Sequence, residues 1–139
     1  MRKIICISII ALICSNHIFG QTINLSVDDL TKLLCKKWQI DYAMMGDMKI
    51  GKRPGATEAN YEFSKDNSVI ITNNINDKIT KGTWHYDQSK KMVKLTVNGK
   101  TNLTVISLKE DELIILADTK DATPDDPMQI KMVYKIRTN

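Results

Sequence analysis

Residues 82–118 decide the fold. They read GTWHYD (82–87), KMVKLTV (91–97), NG (98–99), KTNLTVISL (100–108), KEDE (109–112) and LIILAD (113–118). Four strand-like runs are joined by short polar turns, and no segment among them is long enough to be a crossover helix. Parallel neighbours need such a crossover, so these strands are antiparallel. Asn98-Gly99 stands between two alternating runs. Both central residues of a two-residue hairpin turn take positive φ, which Asn and Gly tolerate best, so the pair is a strong hairpin signal.

The same period of two extends outward on both sides. From Trp38, the residues Trp38, Ile40, Tyr42 and Met44 alternate with Lys37, Gln39, Asp41 and Ala43, which predicts a strand with one apolar face. Residues 46–58 carry Gly51, Pro54 and Gly55 and read as a loop with a short strand at Met48 to Ile50. Ala59, Tyr61 and Phe63 alternate, residues 65–67 turn, residues 69–71 form a strand, and residues 73–77 turn again. Gly82, Trp84 and Tyr86 share a face. Residues 118–127 form an acidic loop, and residues 129–137 close the chain with Ile130, Met132, Tyr134 and Ile136 on one face. The expectation is an all-β fold: an eight-stranded antiparallel up-and-down barrel. Closure removes the sheet edges that invite aggregation. An open two-sheet sandwich accommodates the same strands but leaves edges exposed.

Before the first strand lies an amphipathic helix. Ser26 is its cap, Asp28 and Asp29 suit its positive end, and Val27, Leu30, Leu33 and Leu34 make its apolar face. Before the helix, Arg2 and Lys3 precede the apolar run Ile4 to Ile13, and Gly20 offers a small residue. This layout predicts a signal peptide over 1–20, cleaved near Gly20, and a single domain over 21–139 in a secreted or periplasmic product. The run is shorter than the roughly 20 residues of a membrane span, so no stable span is expected in the mature chain. Cys14 offers lipid attachment as an alternative, although Ile13 before it is larger than such sites take. Without residues 1–20, 18 basic and 16 acidic residues remain, a formal charge of +2 against +4 for the whole chain. So small an excess argues against nucleic acid as a partner. Cys35 and His85 are then the last Cys and His, so stability rests on a packed core and not on disulfides.

The chain resembles a lipocalin-like domain protein of the secreted kind common in Bacteroidetes, within the wider calycin group. The likeness rests on Lys36-Lys37-Trp38 after a short helix, residues 61–64 (YEFS), residues 81–87 (KGTWHYD) and residues 108–113 (LKEDEL), and extends over most of 26–137. Lys36 stands where the family usually has Gly. The resemblance implies a barrel and a Trp of the first strand beside a basic residue after the last. If the last strand pairs with the first, Arg137 or Lys135 comes near Trp38, and a guanidinium over the indole would contribute about 0.5–2 kcal/mol.

No motif points to catalysis, so no catalytic residue and no enzyme activity is expected. A lone Cys35 and a lone His85 do not make a metal site, and no cofactor is implied. Asp118, Asp121, Asp125 and Asp126 do not have the spacing of a calcium loop. A Cys35–His85 nucleophile pair, as in a cryptic hydrolase, has no local support. The binding candidates are Tyr42, Met44, Tyr61, Phe63, Trp84, Tyr86, Met132 and Tyr134, on the apolar faces of their strands. They either fill the core or line a pocket for a small apolar ligand, and depth separates the two. The loops at 46–58 and 118–127 fall at one end, which makes that end the mouth, with Met44 and Ile130 near it and Trp38 and Ile136 deep. The alternative function is a protein-interaction module, an inhibitor or envelope adaptor, over a filled barrel.

Overall fold

The structure is a computed structural model, described here for residues 23–50, 59–117 and 129–138. Helix α1 (Val27–Leu34) is followed by nine strands: β1 (Lys37–Met45), β2 (Met48–Ile50), β3 (Ala59–Phe63), β4 (Ser68–Asn73), β5 (Ile79–Asp87), β6 (Met92–Val97), β7 (Lys100–Leu108), β8 (Glu112–Ala117) and β9 (Ile130–Ile136). Each strand from β3 to β9 pairs with its sequence neighbour, and β1 pairs with both β3 and β9. Eight antiparallel strands therefore close into a barrel, and the sandwich is excluded. β2 stands outside the ring: it folds back on the far half of β1, with Ala43 opposite Ile50 and Met45 opposite Met48.

The predicted hairpin at Asn98-Gly99 forms, with φ of 52° and 72°. Gly82 is required for another reason. A Cβ there would lie 2.6 Å from the Thr96 carbonyl oxygen on β6, so β5 and β6 approach too closely for any side chain. Closure runs along β1 and β9, from Trp38 opposite Ile136 to Met45 opposite Ile130.

α1 caps one end of the barrel. The Ser26 hydroxyl accepts from Asp29 N at 3.1 Å, as expected of its cap, and Asp28 and Asp29 occupy the first turn. Leu30 and Leu34 are fully buried, while Val27, expected on the same face, is 52% exposed: it sits in the first turn, on the rim of the contact. Trp38 Nε1 donates to Leu34 O at 3.0 Å, so the indole ties helix to strand. The segment before α1 is held by Ile23 N donating to Lys91 O at 2.8 Å. The Tyr86 hydroxyl lies 2.8 Å from Leu25 O and 3.1 Å from Ile23 O.

The meeting of Arg137 and Trp38 takes a different form from the one expected. Arg137 N donates to Lys37 O at 3.0 Å, and Arg137 and Trp38 both line a shallow outer depression of ≈ 40 Å³. Trp38 is completely buried under α1 and Arg137 is exposed. Among the described residues the cation recorded over a ring is Lys49, 4.0 Å from the centre of Tyr42.

Candidate functional site

The mouth is the end away from α1, where β1 and β8 finish and β9 begins. Of the expected loops at 46–58 and 118–127, residues 51–58 and the whole of the second, with the acidic Asp118, Asp121, Asp125 and Asp126, lie outside the described residues, as does the expected signal segment, residues 1–20.

Inward-facing side chains change in size along the barrel axis. In the closed half Trp38, Phe63, Val69, Trp84 and Leu113 belong to one buried cluster. Trp84 Nε1 donates to Ser64 O at 3.0 Å, so this indole, like that of Trp38, satisfies its donor on the backbone. The open half is lined by smaller groups. Ala43 faces Met132 across the closure, Ala59 faces Asn73, and Leu103 faces Ala117. Ala59, Ile71, Thr80, Val97, Leu103 and Ala117 are all half-buried, in contrast to the sealed closed half.

The eight candidates separate by this geometry. Phe63 and Trp84 pack deep in the closed half, and Tyr86 is spent on anchoring the chain before α1. Tyr42 and Met44 are not on the inner wall. The β1–β9 ladder shifts register between Ile40 and Tyr42, where Asp41 is the extra residue. A bulge inserts one residue and reverses the alternation. Ala43, opposite the core residue Met132, therefore points inward. Tyr42, opposite Val133, and Met44, opposite Lys49 and Lys131, point outward.

Three candidates meet inside the barrel. Tyr61 and Tyr134 pack edge to face with ring centres 5.2 Å apart. The Tyr134 hydroxyl donates to Met132 Sδ at 3.6 Å, and Met132 lies two residues closer to the mouth. Burial pushes the Tyr61 phenol up to about 12, against a smaller downward effect of its hydrogen bond with Tyr134. Burial raises Tyr134 well above the usual range too, helped by the charge that Tyr61 would carry. Both hydroxyls are neutral at physiological pH. Among the described residues no Lys, Arg or His is buried, so no fixed positive charge faces them.

Cys35 and His85 occupy unrelated surroundings. Cys35 is at the C-cap of α1, half-buried against the core, and burial first, then Asp66, raises its thiol against a lowering by Lys65. His85 is exposed on the outer face of β5, opposite Lys94. No helix among the described residues is long and apolar enough to cross a membrane. Sequence reasoning missed the small-residue ring at the mouth, because Ala and Gly carry no binding signature of their own; their clustering on one inner ring is a tertiary fact.

The sequence matches no protein-family model and no curated protein. A solved structure similar in fold is a DUF4847 family protein from Bacteroides vulgatus ATCC 8482. It has a TM-score of 0.53 and 11% identity, and the match covers 79% of this chain and 96% of that one. At that identity the likeness speaks to the barrel alone.

Proposed function

We propose that this chain is a lipocalin-like protein that holds a small apolar or amphipathic molecule in the open half of its barrel. The supporting observation is the change along the axis: Trp38, Phe63 and Trp84 are buried at the capped end, whereas Ala59, Ile71, Leu103 and Ala117 are half-buried toward the mouth. Apolar lining with few polar groups is the usual make-up of small-molecule sites. In this reading the protein is a binder and not an enzyme, and it works outside the cytoplasm after loss of its first 20 or so residues.

Native mass spectrometry of the protein purified from its own host tests this. A mass increment that survives gentle ionisation and is lost on denaturation is expected. The bare mature mass under all mild conditions would overturn the reading.

A second reading has its own observation. Met48, Ile75 and Ile79 are 64%, 57% and 62% exposed and belong to the β1–β2 and β4–β5 hairpins at the mouth. Apolar groups on a rim suit contact with a protein partner as well as ligand entry. Under that reading, replacing the three by Ser would abolish co-purification of a partner while leaving small-molecule content unchanged.

A further inference from the structure

The floor of the mouth carries a mismatch. Tyr61 and Tyr134 bring two O–H protons into an apolar interior. Their rings pack edge to face with centres 5.2 Å apart. The acceptor recorded for the single proton of the Tyr134 hydroxyl is the thioether of Met132, at 3.6 Å. Thioether sulfur is a weak acceptor, far poorer than a carbonyl oxygen. A buried phenol usually finds a full partner. Tyr134 instead donates to a flexible, unbranched side chain that can move aside. Met132 stands between it and the ring of small residues, across the closure from Ala43.

We propose that Met132 Sδ is a placeholder, and that a ligand entering the mouth displaces it and accepts the Tyr134 hydroxyl proton through a neutral oxygen. The proposal rests on the mouth being a binding site. It adds a chemical class: an apolar chain or ring system ending in a ketone, ester, amide or similar uncharged acceptor, inserted acceptor first. Charge at that end is disfavoured. A carboxylate would meet no buried cation among the described residues, and an ammonium would meet no buried carboxylate there. Tyr134 has no accessible surface while Met132 is in place, so binding requires the methionine to swing.

The test uses the mature chain and three probes of equal chain length, 2-undecanone, 1-undecene and undecanoate, with binding followed by tryptophan fluorescence and native mass spectrometry. The ketone is expected to bind tightest. Tyr134→Phe keeps the ring and should weaken the ketone about tenfold, the worth of one neutral hydrogen bond, while leaving the alkene unchanged. Met132→Leu removes the placeholder sulfur. It should lower the melting temperature of the free protein, keep the preference for the ketone, and enlarge the thermal shift that the ketone gives. Ketone and alkene bound equally by the wild type, or a ketone preference that survives Tyr134→Phe, would overturn the assignment of Tyr134 while the mouth reading stands. Failure of all three probes to bind the wild type would overturn both. Equal weakening of ketone and alkene by Tyr134→Phe would assign the residue to packing alone and overturn the proposal.

Discussion

Single residues hold this barrel through what lies next to their backbone. Gly82 is the plainest case. Its missing Cβ would meet a carbonyl oxygen, Thr96 O, and Val97 and Val69 at 3.1 and 3.3 Å. Neither strand can retreat without breaking the β5–β6 ladder. Gly82→Ala is expected to cost about 1–3 kcal/mol, read from the midpoint of urea unfolding. Arg137 illustrates the opposite. Its contact with β1 is a backbone hydrogen bond to Lys37 O, which any residue but proline makes. Arg137→Ala should therefore shift stability by no more than about 0.5 kcal/mol, and the fluorescence of Trp38 should not change. The same reasoning discounts the surface ion pairs. Lys37–Glu62 at 3.7 Å and Lys135–Asp41 at 3.4 Å join exposed groups, and salt screens them.

At the scale of elements, α1 is a plug and not a wall. It contributes Leu30 and Leu34 to the core and receives the Trp38 indole on its last turn. Its start depends on Ser26. The hydroxyl accepts from Asp29 N and donates to the Asp29 carboxylate at 2.8 Å. Ser26→Ala should cost about 1 kcal/mol. Leu34→Ala should cost about 2–5 kcal/mol, because it opens a cavity against Trp38. Thermal unfolding measured on both variants checks the ranking; equal losses would mean that the helix contributes through its cap and not its packing. β1 also shows how an element departs from its pattern. Its sequence alternates cleanly from Trp38 to Met44, yet the register slips at Asp41 and the outer half is inverted. Asn60 Oδ1 accepts from Ile40 N at 3.2 Å at this point, doing with a side chain what the ladder no longer does. Tyr42 and Met44 were legible as apolar; which side of the wall they face was not, because a bulge is fixed by pairing with β9 and leaves no local signature.

For the whole molecule, the buried tyrosine pair links stability to pH. The Tyr61 phenol ionises near 10 when unfolded and at about 12 in the fold. A raised folded value means that the unfolded chain releases the proton first. The stabilisation is complete below pH ~10 and is lost as pH rises through 12. A shift of that size corresponds to ~3 kcal/mol for Tyr61, and Tyr134 acts in the same direction. Unfolding free energy should fall steeply over this interval. The Tyr61→Phe, Tyr134→Phe double variant should be flatter there; an unchanged alkaline slope would show that other groups cause it.

Much of this architecture was determined by the sequence itself. Alternation of period two, Asn98-Gly99 and the short polar turns specify antiparallel neighbours, since each signal is local and each hairpin joins adjacent strands. The capping of α1 is likewise written in Ser26 and Asp29. Tertiary structure decided what depends on partners distant in the chain. Pairing of β1 with β9 chose the closed ring and placed the bulge. Packing under α1 buried Trp38 away from Arg137. The ring of Ala43, Ala59 and Ala117 around the mouth, with Tyr134 leaning on Met132 at its floor, exists only once eight strands have set their stagger. Local pattern fixes which face of a strand is apolar; closure fixes how much space those faces enclose and what they meet there.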